Sequence, residues 1–126
     1  MSVKKQARGG PSGSDREATI SRARRAGVEK VRIVIDPGLG FGKRKEDNNV
    51  ILARLGQLNG LELPIMVGPS RKSFLAHPDP EETKFASAGA VTAAVLGGAH
   101  IVRVHDVREM RAATDVADEI LRCRAE

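Results

Sequence analysis

The chain has 126 residues, 40% of them hydrophobic and 29% charged, with a net charge of +5. That composition suits a soluble globular chain rather than a disordered one, and the length suits one modest domain or a piece of a barrel of about 250 residues. Its longest weakly polar stretch, residues 90–102, carries two glycines and a histidine and falls well short of the roughly 20 apolar residues of a membrane span.

Residues 1–13 are polar and include Gly9, Gly10, Pro11 and Gly13, which reads as a flexible tail before a domain over 14–126. The tail's lysines have no apolar run behind them, so no secretory signal is expected. Ser14 and Glu17 have capping-box spacing and open a predicted helix that runs to about Ala26 and closes at Gly27. Val31 to Asp36 is β-branched and bounded by Pro37 and Gly38, the pattern of a buried strand. From about Glu46 to Leu58, the spacing of Ile51, Leu55 and Leu58 predicts a helix with one apolar stripe. Leu61 to Val67 is the second expected strand. Asp79-Pro80-Glu81-Glu82 is a helix start, with an N-cap, a first-turn proline and acids that suit the helix dipole. That helix should end near Leu96, before Gly97 and Gly98. His100 to Val104 is the third strand. A last helix over about 107–122 should bury Met110, Ala113, Ala117, Ile120 and Leu121.

Residues 1–30 hold eight Lys/Arg against three acids, so the whole net charge sits there and the remainder sums to zero. No aromatic side chain stands among those cations to stack a base, so no nucleic-acid partner is expected, and without an apolar span no membrane partner is expected either. With no Trp or Tyr and three Phe, the core must come from Val, Ile, Leu and Ala. Cys123 has no partner within the chain, which fits a reducing, cytoplasmic setting.

One helix followed by three strand–helix units, with strand ends 31 and 37 residues apart, suits parallel βαβ crossovers. Three parallel strands leave two bare edges, so the expected fold is α/β: part of a (β/α)₈ barrel, with a small open sheet as the alternative.

Polar residues gather just past each strand's C-terminal end, the edge where parallel sheets place their sites. Asp36 to Lys43 follows the first strand, Gly68 to Phe74 the second, and Arg103 to Asp106 ends the third. The glycine loop is not a Walker A motif, because Pro37 takes the first glycine position and Arg44 replaces the hydroxyl. Nor is it a Rossmann fingerprint, since Lys43 stands where the third glycine belongs. Asp36 either takes paired N–H donors from an amino-pyrimidine edge or holds its own loop through backbone amides. Arg71-Lys72 and Arg103 with His105 bring cations to one mouth, as a phosphate or diphosphate leaving group would need.

These motifs together resemble dihydropteroate synthase. Asp36-Pro-Gly-Leu-Gly-Phe-Gly-Lys43, Gly68-Pro-Ser-Arg-Lys-Ser-Phe74 and Ile101-Val-Arg-Val-His-Asp-Val107 look like that family's three C-terminal signatures, and Ala94 to His100 fits the approach to its last strand. The resemblance covers about residues 15–122 and implies a (β/α)₈ TIM barrel of which this chain supplies strands six to eight. It implies condensation of 6-hydroxymethyl-7,8-dihydropterin diphosphate with 4-aminobenzoate, releasing diphosphate, in folate synthesis. Carried over by motif, Asp36, Gly68 and Lys72 would meet the pterin, Phe41 and Ser73 the aminobenzoate, and Arg103 and His105 the diphosphate. Mg²⁺ is implied as cofactor, but its asparagine ligand belongs to the family's first half, outside this chain. A homodimer through the last helices is also implied. Two other readings stand beside this one: an inert or dimerising barrel remnant, and a pterin-binding methyltransferase domain. The latter has no diphosphate to hold and so no use for Arg103 and His105.

Overall fold

The computed structural model describes residues 13–38, 45–69 and 75–125. Four α-helices stand out among them: α1 (Gly13–Arg25), α2 (Lys45–Ala53), α3 (Pro80–Leu96) and α4 (Val107–Arg124). Two short strands, β1 (Met66–Val67) and β2 (Ile101–Val102), pair in parallel, with Met66 opposite Ile101 and Val67 opposite Val102. A parallel bridge from Ile35 to Ile65 adds the third segment on the other side of β1. The three segments therefore run in one direction, with β1 in the middle, and each is followed by a helix.

Helix ends are set locally, as the sequence suggested. Asp79 caps α3 by accepting the Glu81 N–H at 2.9 Å, with Pro80 in the first turn. At its other end Gly98 takes φ 115°, and the Gly98 and Ala99 N–H groups reach back to Val95 and Ala94. Gly27, at φ 98°, ends α1 the same way, with Gly27 and Val28 donating to Arg24 and Ala23. These are paired Schellman bonds around a left-handed glycine. The capping role of Ser14 and the tail reading of residues 1–12 lie outside the described side chains and residues.

Strand lengths differ from expectation. Lys30–Arg32 winds into a 3₁₀ turn instead of opening a strand, and Val31, expected to be buried, is 88% exposed. The extended run shrinks to Ile33 to Asp36, where burial begins. The helix expected to reach Leu58 stops at Ala53, and Leu55–Leu61 continues as 3₁₀ helix into the stretch read as strand. Gly56 and Gly60 weaken an α-helix there. Three residues per turn put Leu55, Leu58 and Leu61 on one face, and the first two are fully buried.

Around β1 the core gathers Ile33, Ile35, Ile51, Leu55, Leu58, Leu63, Ile65, Val67 and Ala94. It is wholly aliphatic. α3 packs against α4. On α4, Met110 and Ala117 are buried and Ala113 and Leu121 are partly so, but Ile120, expected inside, is 40% exposed. No helix among the described residues is long and apolar enough to cross a membrane.

Candidate functional site at the strand ends

Because the three segments are parallel, Asp36, Gly68 and Arg103 leave the sheet on one edge. Asp36 follows Ile33 and Ile35 out of the core and remains buried at 3% exposure. Its Oδ1 accepts the Gly38 N–H at 2.8 Å. Gly38 sits at φ 78°, a backbone state that a side chain disfavours, so the Asp-Pro-Gly order builds a turn that the aspartate itself holds. The loop-holding reading of Asp36 thus accounts for one carboxylate oxygen.

β1 ends at Val67, and the buried Gly68 and Pro69 follow. Across from them, the Arg103 N–H donates to the Val67 carbonyl at 2.9 Å, one residue past the Val67–Val102 pair. Parallel register turns both side-chain positions to one face, and at residue 68 there is no side chain. The guanidinium fills that space. A methyl group at Gly68 would stand 2.9 Å from Arg103 Nη2, 3.1 Å from Nε and 3.3 Å from Cζ. Among the described residues no carboxylate pairs with this guanidinium. Two expected site residues therefore meet.

His105 is exposed, and Asp106 stands at the N-cap position of α4, its carbonyl accepting the Met110 N–H at 2.9 Å. Nearby, a shallow cavity of about 420 Å³ is lined by His77, Pro80, Glu81, Thr83, Lys84 and Asp106. Thr83 ties the loop before α3 to the helix, accepting the His77 N–H at 2.9 Å. The Lys84 ammonium is held above its ordinary value by a hydrogen bond and charge attraction from Glu81, with Glu109 and Asp106 adding to the effect. A second cavity of about 530 Å³, lined by Asn59, Glu62, Leu63, Pro64, Gly98 and His100, lies at the opposite edge. There His100 Nδ1 accepts the Ile65 N–H at 3.2 Å. Parallel barrels put chemistry at the C-terminal edge and stability at the other, so the larger cavity is the less relevant one.

The family profile described as pterin binding enzyme matches residues 12–105. The dihydropteroate synthase of Synechocystis sp. is 43% identical over 109 residues, covering 83% of this chain and 38% of its own length. That of Escherichia coli K12 is 41% identical over 105 residues, 81% of this chain and 37% of its own. A dihydropteroate synthase structure from Clostridium difficile, determined with pteroic acid, superposes with a TM-score of 0.83 at 33% identity, over 94% of this chain and 49% of that one. This chain belongs to the pterin-binding enzyme family. Its three parallel βα units are part of the family's TIM barrel, and it spans less than two fifths of the length of those two curated relatives.

Lys72, expected at the pterin, and Phe41 and Ser73, expected at the aminobenzoate, lie outside the described residues. Among the described residues no three His, Cys, Asp or Glu side chains are placed to hold a metal ion, and Asp36 and Arg103, flanking the Gly68 edge, do not make a cation site. Two buried polar residues were passed over in the sequence, Asn48 and Ser87. Each had a signal. Asn48 shares the stripe of Ile51 and Leu55, and Ser87 that of Val91 and Ala94, so each is a polar group on a face that enters the core.

Proposed function

We propose that this chain carries the diphosphate and pterin contacts of a dihydropteroate synthase. In that reaction the bond between the pterin methylene carbon and the diphosphate oxygen breaks, and its electron pair leaves with diphosphate. The aniline nitrogen of 4-aminobenzoate then bonds to the methylene carbon and loses a proton. No strong base is required. Arg103 and His105 would hold the departing anion, where fixed donors are worth most as charge develops. Asp36 would take the amino-pyrimidine edge with its carboxylate, Lys72 and Gly68 would border the pterin, and Phe41 and Ser73 would border the aminobenzoate. Mg²⁺ belongs to this reaction by family, with its ligand outside this chain.

The observation that carries this reading is the Arg103 guanidinium, laid across Gly68 at the C-terminal edge with no carboxylate partner among the described residues. A cation so placed suits an anionic leaving group. A homodimer through the last helices and a cytoplasmic setting, where the exposed Cys123 stays reduced, belong to the same proposal.

The test measures dihydropteroate formation from pterin diphosphate and aminobenzoate in Mg²⁺ buffer, with this chain alone and with a polypeptide carrying the family's first half. The chain alone should turn over little or nothing, and the mixture should turn over. Arg103→Ala should lower the mixture's rate by about tenfold or more, since a bond to a charged group contributes about 1.5–3 kcal/mol. A mixture that is folded and inactive would support the remnant reading instead.

A further inference from the structure

Gly68 is unusual among the described glycines at turns. Gly27, Gly38 and Gly98 have positive φ and need glycine for their backbone conformation. Gly68 does not share that conformation, so alanine could follow the same chain path. What forbids a side chain is the space, and the three nearest atoms in it, Nη2, Nε and Cζ, all belong to Arg103. Those atoms are the far end of a flexible side chain. Alanine would therefore displace the guanidinium at little expense to the fold.

We infer that Gly68 is a positioning residue, whose missing side chain is the berth that holds the Arg103 guanidinium at the strand edge. It acts on the anion through Arg103 and not by touching that anion itself, beside its place at the border of the pterin. The planar guanidinium can lie flat on bare backbone, and there its donors keep a fixed direction. With a methyl group at residue 68 the head group must swing away, and the side chain regains freedom that anion binding would then have to remove. This inference rests on the reading of Arg103 as a diphosphate contact, and the two are separable.

The experiment uses the full chain as native protein, Gly68→Ala, Arg103→Ala and the double variant. Thermal melting, the Arg103 Nε–Hε NMR signal and titration with inorganic diphosphate are recorded for each. Gly68→Ala should melt close to the native protein and shift the Arg103 signal without any ligand present. It should weaken diphosphate binding about as much as Arg103→Ala does, by roughly tenfold or more, and the double variant should be no weaker than either. An unmoved Arg103 signal overturns the inference, as does a double variant whose losses add. Should Gly68→Ala fail to fold, Arg103→Ala must restore folding in the double variant, because the clash is with that side chain; continued unfolding also counts against the berth. If the native protein binds no diphosphate, the anion assignment falls, and the Arg103 signal alone decides whether the berth exists.

Discussion

A carboxylate at the end of an apolar strand must be satisfied close by, and Asp36 meets part of that need within its own turn. On the proposed function it would have two separable duties, one oxygen taking the Gly38 N–H while the charge would serve the pterin. Asp36→Asn keeps an oxygen for Gly38 but replaces an acceptor with an NH₂ donor. We expect it to lose pterin binding in a completed barrel while keeping the Gly38 bond and the stability that bond gives. Asp36→Ala should lose both, because the buried Gly38 N–H is then unpaired, at about 1–3 kcal/mol. Calorimetric titration with the pterin and denaturant unfolding of the two variants check this, and equal stabilities for the two would remove the loop-holding role. The motif residues were legible because each strand end carries chemistry in sequence order. The seat of Arg103 on Gly68 was not, since strand spacing says nothing about which residues stand opposite.

Helix ends were read from single residues because caps are local: Asp79 with Pro80, Gly27, and Gly98 each act within one turn of themselves. Asp79→Ala should destabilise the chain by about 1 kcal/mol in a denaturant midpoint. Gly98→Ala should be worse, at about 1–3 kcal/mol. It strains a left-handed φ and also drives a methyl to 2.7 Å from Asn59 Oδ1. A midpoint shift for Gly98→Ala smaller than that for Asp79→Ala would contradict the packing. The Glu81–Lys84 pair should show a different pattern. Lys84 titrates higher in the folded chain than its ordinary 10.5, so its contribution is complete below that value and fades only as pH rises through the folded value. Lys84→Met should therefore shift the melting temperature by a constant amount across the neutral range. A shift that changes there would mean another group sets it. Strand lengths were less legible, because a strand extends only as far as it finds a partner. Val31 has the right residue type yet stands in solvent, while the 3₁₀ run over Leu55–Leu61 hid in leucines three apart, a spacing that helices share.

At the scale of the whole molecule the parallel sheet is narrow: among the described residues β1 is covered on both sides, Ile35 and β2 are not. Val67 in the middle is fully buried, whereas Ile101 on β2 remains 43% exposed. The barrel class was legible from the repeat of strand, helix and strand-end chemistry, since a closed ring of parallel strands leaves no such edge. Edges of this kind pair with whatever strand they meet. The 126-residue chain on its own should therefore sediment as a dimer or larger species. A polypeptide carrying the family's first half offers strands of matching direction and should compete for the same edges. Mixing should convert the assemblies to a one-to-one complex that melts higher than either part, because a partner that binds only the folded form stabilises it in proportion to the logarithm of its concentration. Sedimentation velocity and melting, followed over a concentration series of the added half, measure both effects together. A chain that stays monomeric alone, with a melting temperature indifferent to the added half, would show that its edges are already closed by its own residues.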